Sequence, residues 1–135
     1  MLRLSKKSEY ALMAVRFLAI NSNGKYITAR DISQYYDIPY ELVSKVLQRL
    51  VKRNLVHSSQ GVRGGYTLTR SSEQISLMEI ISAIDENHNI TNCMNESSSQ
   101  KDCTHFDCCM IRDPLIKVQR EIDKILENMK VNQIL

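Results

Sequence analysis

All four cysteines of the chain fall in one polar stretch, at Cys93, Cys103, Cys108 and Cys109. Nine residues separate the first two, four separate the second from the third, and the last two are adjacent. In a reducing compartment such a group more often binds metal or performs redox chemistry than forms disulfides. The absence of a paired C-x-x-C knuckle disfavours a structural zinc site. Thiolates in an irregular loop are instead typical of an iron–sulfur cluster, with two or four irons.

Adjacent cysteines seldom both ligate one centre, so we expect three cysteine ligands and one additional thiol. The preferred set is Cys93, Cys103 and Cys109, with Cys108 as the alternative. A fourth ligand must come from another residue type, and it would bind iron less tightly than a thiolate does. One corner of the cluster would then be open to small molecules, which suits a sensor. The candidates in or beside the stretch are His88, His105 and Asp107.

The composition is that of a globular domain, with 135 residues, 43% of them hydrophobic and 24% charged. A net charge of +3 permits an anionic partner without requiring one. No apolar run is long enough for a membrane span, and Glu9 and Arg16 interrupt the N-terminal stretch that would otherwise resemble a signal peptide. We therefore expect a cytoplasmic protein. No Ser/His/Asp or phosphate-loop constellation is visible, so an enzyme is not expected.

Two short helices joined by a tight turn are predicted after residue 28. Thr28 and Asp31 can cap the first helix, and Pro39 separates it from the second. The second helix, about Tyr40–Arg53, combines an apolar stripe with a polar, basic outer face. This pattern is typical of a helix-turn-helix, although a helical hairpin with a solvated face would share it.

A β-hairpin is predicted directly after these helices, from the strand patterns Leu55–Ser59 and Tyr66–Arg70. Three glycines lie between the strands and permit a tight turn. A helix-turn-helix followed by a hairpin is a winged helix. Arg63, at the tip of the hairpin, can reach phosphate or the minor groove.

The outer face of the second helix of the pair is predicted to bind double-stranded DNA in the major groove. The side chains expected to face base edges are Tyr40, Glu41, Ser44, Lys45 and Gln48. The side chains expected to serve mainly phosphates or the minor groove are Arg49, Lys52 and Arg63.

Helices are also predicted at both ends of the chain and after the hairpin. The first covers residues 5–21, with Ser5 as its cap. Ser76 and Glu79 form a capping box for a helix that ends near Asp85 and packs on the first. After Pro114 the apolar residues are spaced by three and four, as in a helix that pairs with another helix. This apolar row consists of Leu115, Val118, Ile122, Ile125 and Met129.

The predicted fold is therefore mainly α with a small β-hairpin wing, followed by a long C-terminal dimerisation helix. We divide the chain into a winged helix-turn-helix domain (1–86), a cysteine-rich cluster-binding loop (87–111, the cysteine segment) and a dimerisation helix with a tail (112–135). A homodimer through the helix 112–129 is expected.

These features together resemble the Rrf-type family of bacterial winged-helix regulators, which includes IscR-like iron–sulfur regulators and NsrR-like nitric-oxide sensors. The matching segments are RLSKKSEYAL, IPYELVSKVLQRLVKRNLV, GVRGGYTL and ISLMEIISAIDENHNITNC, and they extend over most of the chain. The resemblance implies a homodimer on DNA and a cluster held by three cysteines, matched by Cys93, Cys103 and Cys109. The first interval between them is longer here than is common in the two named branches.

The resemblance also bears on the fourth ligand, which differs among branches. IscR-like proteins place a histidine three residues after the third cysteine, where this chain has Arg112. NsrR-like proteins use an acidic residue near the start of the first helix, supplied by the other subunit, and the matching position is Glu9. A redox-sensing branch uses a histidine where Tyr36 stands here. The resemblance thus implies Glu9 as ligand and nitric oxide as the first candidate signal, ahead of iron or cluster status and oxidants.

The sequence therefore predicts a dimeric transcriptional repressor whose affinity for a DNA operator depends on an iron–sulfur cluster. Two other classes stay open. One is an iron–sulfur or metal-handling redox protein without DNA binding, and the other is a thiol-based redox regulator without a cluster.

Overall fold

The computed structural model describes residues 3–90 and 110–135. All four cysteines, with His105 and Asp107, lie outside the described residues. The helices are α1 (Lys6–Asn21), α2 (Ala29–Tyr36), α3 (Tyr40–Lys52), α4 (Leu77–Ile84) and α5 (Arg112–Asn128). The strands are β1 (Val56–Ser59) and β2 (Gly65–Leu68), and a 3-10 turn at Val131–Gln133 follows α5.

Three helices begin where the sequence supplies a capping residue. Ser5 is the N-cap of α1 and accepts from the backbone N–H three residues later. Thr28 and Asp31 form a reciprocal capping box at α2, and Ser76 and Glu79 form another at α4. The predicted starts of these three helices are confirmed.

The turn between α2 and α3 is closed by local hydrogen bonds. Asp37 adopts the left-handed conformation, with φ of 54°, and allows the chain to reverse. The Ile38 N–H donates to the Ser33 carbonyl over 3.0 Å, and the Ser33 hydroxyl donates to the Ile38 carbonyl over 2.6 Å. Pro39 then stands at the N-cap position of α3. The helix-turn-helix geometry therefore has a specific local cause.

The wing is a two-stranded antiparallel hairpin in which Val56 pairs with Leu68. Its second strand begins and ends earlier than the predicted Tyr66–Arg70. Gly65 adopts φ of 146°, and a Cβ there would collide with the backbone of Ile27. Glycine is needed because Ile27 and Tyr66 exchange two backbone hydrogen bonds, of 2.9 and 2.7 Å. The wing is thereby attached to the chain that precedes α2.

The core surrounds α1, which packs against α3 and α4. The large apolar residues Leu77, Ile80, Ile81 and Ile84 of α4 are all buried, as the predicted packing of this helix on α1 requires. Val131, after α5, is also fully buried, and its N–H donates to the Ile75 carbonyl over 3.0 Å. The residues that follow α5 therefore contribute to the core of the winged domain. None of the helices in the described ranges is long and apolar enough to cross a membrane.

Candidate nucleic-acid interface

The outer face of α3 presents polar side chains to solvent, opposite a buried stripe formed by Val43, Val46, Leu47 and Leu50. Glu41, Lys45 and Gln48 are exposed and Ser44 is half-buried. Tyr40, at the start of the helix, is also exposed, and the Arg30 guanidinium lies 5.9 Å from its ring centroid. Arg30 comes from α2 and adds a cation that the sequence analysis did not select.

Arg49 differs from the other predicted contacts on α3 because its side chain already has a partner. Its Nη1 donates to the carbonyl oxygen of Ile84, at the end of α4, over 3.1 Å. The guanidinium therefore complements the negative end of α4 as well as lying on the outer side of α3. Lys52, one turn further on, is exposed.

Arg63 lies at the exposed tip of the wing, next to Val62, whose side chain is entirely in solvent. Lys25 and Tyr26, from the turn between α1 and α2, line the same cleft as Arg63. This cleft is distinct from the one that Lys45, Gln48, Arg49 and Lys52 line. Arg63 and four of the predicted contacts on α3 thus line two separate clefts.

Tyr66, in the second strand of the wing, is partly buried and lies near Tyr40. Burial raises the pKa of the Tyr66 hydroxyl, and the nearby Tyr40 raises that pKa further. The second strand of the wing therefore lies close to the beginning of α3. The proximity of the wing to this helix is what a winged helix needs in order to contact DNA with both elements.

Glu9 lies in the first turn of α1 and pairs with Lys6. The Lys6 Nζ is 2.9 Å from the Glu9 carboxylate; the Lys6 side chain is 78% exposed and the Glu9 side chain 43%. The hydrogen bond to Glu9 raises the pKa of Lys6. In the described ranges, no three or more His, Cys, Asp or Glu residues are grouped closely enough to hold a metal. Glu9 is therefore not assembled with other candidate ligands there.

The same turn of α1 is fastened to the end of α4. The hydroxyls of Ser5 and Ser8 both donate to Oδ2 of Asp85, each over 2.6 Å. Ser8 is completely buried. Asp85 is the C-cap of α4, and the cysteine segment begins two residues later. This contact could not be predicted from the sequence, because Asp85 lies 80 residues from Ser5 and 77 from Ser8.

The beginning of the cysteine segment is held against α5. The Gln119 side chain is buried, accepts from the Ile90 N–H and donates to Asp123, each over 2.8 Å. The His88 Nε2 lies 3.7 Å from the Asp123 carboxylate. His88, one of the candidate ligands, is therefore next to a carboxylate of α5.

Comparison with known proteins identifies the family. The Rrf2 family model, described as an iron-dependent transcriptional regulator, matches residues 4–135. This chain belongs to the Rrf2 family. The resemblance inferred from the sequence is confirmed.

Two curated relatives illustrate the match. The HTH-type transcriptional regulator IscR of Cronobacter sakazakii is 35% identical over 99 residues, which cover 73% of this chain and 61% of that protein. IscR of Escherichia coli K12 is 34% identical over 99 residues, which again cover 73% of this chain and 61% of that protein. The chain spans about 61–65% of the length of the first curated relatives it matches. Their naming as regulators agrees with the expectation of a protein that is not an enzyme.

Solved structures agree on the fold. CymR, the global cysteine regulator of B. subtilis, has a TM-score of 0.78 at 19% identity, covering 99% of this chain and 96% of that one. IscR of T. potens has a TM-score of 0.71 at 20% identity, covering 98% and 85%. The predicted fold, mainly α with a β-hairpin wing, is confirmed.

Proposed function

We propose that this Rrf2-family protein is a homodimeric, DNA-binding transcriptional repressor whose affinity for its operator is controlled by an iron–sulfur cluster. The observation that carries the DNA-binding part is the exposed polar face of α3 next to the wing. A helix of this kind fits the major groove, where each direct base contact contributes roughly 1–3 kcal/mol of discrimination. The base-reading residues in this proposal are Tyr40, Glu41, Ser44, Lys45 and Gln48.

In this proposal Lys52 and Arg63 bind the DNA backbone. Removing their charges tests this assignment. We expect the double variant Lys52→Ala/Arg63→Ala to weaken binding to duplex DNA. The slope of log affinity against log salt should decrease in magnitude by about 0.9 for each phosphate that the variant no longer neutralises. The matched control is Lys117→Ala/Lys124→Ala, which removes two exposed lysines from α5. A salt slope that is the same in both double variants contradicts the assignment.

The dimer rests on the apolar row of α5. Val118 is 45% exposed, Ile125 60% and Met129 36%, so their own chain leaves much of the row uncovered. Spacings of three and four are those of helices that pair with a like helix. A second copy related by a two-fold axis would cover the row and would present two winged helices to two DNA half-sites.

For the cluster, we propose Cys93, Cys103 and Cys109 as thiolate ligands and Glu9 of the partner subunit as the fourth. Three thiolates with one weaker carboxylate are a donor set that suits iron. The exposure of Glu9 in the single chain is consistent with a ligand supplied across a dimer. A bound cluster would supply iron that nitric oxide or an oxidant can reach at the carboxylate corner.

The contacts of this chain's own residues support a route from the cysteine segment to α3. Asp85 holds the turn of α1 that carries Glu9, and the preceding residue, Ile84, accepts from Arg49 of α3. A change in the cysteine segment that displaces Asp85 would therefore act on both helices. A ligand that favours one of two such arrangements shifts the population of the DNA-binding state.

Anaerobic purification, followed by absorption spectroscopy with iron and sulfide analysis, tests the cluster. We expect the wild-type protein to be coloured and to contain sulfide. The Cys108→Ala variant should keep the wild-type cluster content. The cluster should be lost in Cys93→Ala, Cys103→Ala and Cys109→Ala. The Glu9→Ala variant should bind less cluster. Colourless wild-type protein that still binds DNA favours the thiol-based regulator. Coloured protein that transfers its cluster and ignores DNA favours the metal-handling protein.

A further inference from the structure

A cleft beside α3, which we call the basic cleft, is lined by cationic side chains of two helices. It is lined by Lys45, Arg49 and Lys52 from α3 and by Lys7 from the first turn of α1, and Gln48, Leu42, Val46 and Ile84 complete it. Four cations therefore converge on one concavity from two elements, and none of its lining residues is acidic.

The cations of the basic cleft are available to an external anion. Lys7, Lys45 and Lys52 are exposed, and across residues 3–90 and 110–135 none of the three forms an ion pair with a carboxylate. Arg49 differs, because its hydrogen bond to Ile84 fixes it as one wall of the cleft. Like charges held around a concave surface raise the local positive potential and attract an anion from solution.

The position of the basic cleft indicates which anion it suits. Its lining includes Lys45 and Gln48, which belong to the face of α3 proposed to read bases. When a recognition helix lies in the major groove, the phosphates that border the groove run beside it and accept contacts from side chains at its edges. The first turn of α1, at the other side of the cleft, is then next to the phosphates.

We propose that Lys7 is a DNA-backbone ligand, and that it forms a phosphate site with Lys52 in the basic cleft, at the edge of the recognition helix from which Lys45 reads bases. This inference rests on the proposed DNA-binding function. It adds α1, for which no DNA contact was predicted from the sequence, to the DNA-contacting surface. The ligand is a backbone phosphate of duplex DNA, so the contact adds affinity and register without base preference.

The test is the salt dependence of binding to a duplex of arbitrary sequence, measured by fluorescence anisotropy with full-length protein. We expect Lys7→Ala to weaken binding by about threefold to tenfold near 0.1 M salt, and to reduce the magnitude of the salt slope by about 0.9 for each phosphate that loses its Lys7, one per subunit of the proposed dimer. Lys7→Arg should keep the wild-type slope because it retains the charge. Lys117→Ala, which removes an exposed lysine of α5 outside the cleft, is the matched control.

The outcomes separate this inference from the function on which it rests. A Lys7→Ala variant with the wild-type slope overturns the phosphate contact, while salt-dependent binding by the wild type leaves DNA binding intact. Wild-type protein that binds no duplex DNA overturns both. A Lys7→Ala variant with weakened binding, an unchanged slope and a lowered melting temperature shows a structural role, and this too contradicts the inference.

Discussion

Arg49 of α3 and Ile84 of α4 are joined by a hydrogen bond of 3.1 Å, from the guanidinium Nη1 to the carbonyl oxygen. Ile84 is the last residue of α4, and Asp85 immediately after it holds the start of α1 through two serine hydroxyls. Two consecutive residues thus fasten the proposed recognition helix and the first helix to the point where the chain leaves the winged domain.

Arg49→Ala should lower both stability and DNA affinity. The Ile84 carbonyl loses its charged donor in this variant, and we expect the free energy of unfolding to decrease by about 1 kcal/mol. Urea denaturation measures this change. Lys52→Ala is the control, since it should reduce the salt slope of DNA binding at wild-type stability. If Arg49→Ala behaves like Lys52→Ala, the hydrogen bond to Ile84 contributes nothing to the fold.

Asp85→Ala should destabilise the protein more than a change at its exposed neighbour. It leaves the hydroxyls of Ser5 and buried Ser8 without their acceptor, and a cost of about 1–3 kcal/mol is expected for an unsatisfied buried group. Glu86→Ala removes an exposed carboxylate from the next position and serves as the control. Equal unfolding midpoints in urea for the two variants would contradict the role given to Asp85.

Glu79 should make stability depend on pH in the acidic range. Partial burial acts to raise its pKa, but the Ser76 N–H and the Arg70 guanidinium, 2.7 Å away, together hold the pKa of Glu79 below 4.5. The carboxylate therefore stabilises the fold above the unfolded pKa, and this contribution is lost as the pH falls through the folded value. Because the side chains of Arg70 and Glu79 are 39% and 40% exposed, solvent screening limits the effect to about 0.5 kcal/mol.

The pH dependence is measured by urea denaturation of wild type and Glu79→Gln at neutral and acidic pH. Wild type should be more stable at pH 7, and the difference should shrink as the pH falls below 4.5. The amide oxygen of the introduced glutamine can still accept from the Ser76 N–H, so the variant isolates the charge. A difference that does not change with pH counts against this account.

Ile125→Glu should convert the proposed dimer to monomer. Ile125 is 60% exposed in the single chain, so the substitution leaves the monomer's core intact and places a charge in the apolar row. Lys117→Glu, at an exposed position of the same helix, is the control and should stay dimeric. Light scattering after gel filtration measures the mass, and a dimer of unchanged affinity in Ile125→Glu would refute the interface.

The point substitution is a cleaner test than removing α5. A chain that ends before Pro114 would lack Val131, which is fully buried and bonded to Ile75, and would lack the bond from the Leu77 N–H to the Met129 carbonyl. Truncation would therefore disturb the winged domain itself, and a monomer obtained in this way would say little about the apolar row.

The local features of the fold could be predicted because short-range chemistry determines them. Ser5, Thr28 and Ser76 each start a helix with a side-chain acceptor three residues from the amide it caps. The contacts that were missed are long-range. Neither the pairing of Ile27 with Tyr66 nor the return of Val131 to Ile75 leaves a periodic signal in the sequence.

The candidate site could be predicted in part. The exposed face of α3 follows from its helical period. The hydrogen bond from Arg49 to Ile84 and the position of Lys7 beside α3 depend on tertiary packing, which leaves no pattern in the sequence. The cysteine ligands stay a prediction from spacing and family resemblance. Glu9 stays a prediction of the resemblance alone, because its role needs a second chain.

The most direct measurement compares the DNA affinity of cluster-loaded and cluster-free wild-type protein under anaerobic conditions. The target is a duplex that the loaded protein has selected from a random pool, and the affinity is read by fluorescence anisotropy at fixed salt. The account predicts that the loaded form binds this duplex at least about tenfold more tightly, ~1.4 kcal/mol. Equal affinities for the two forms would contradict cluster control of DNA binding.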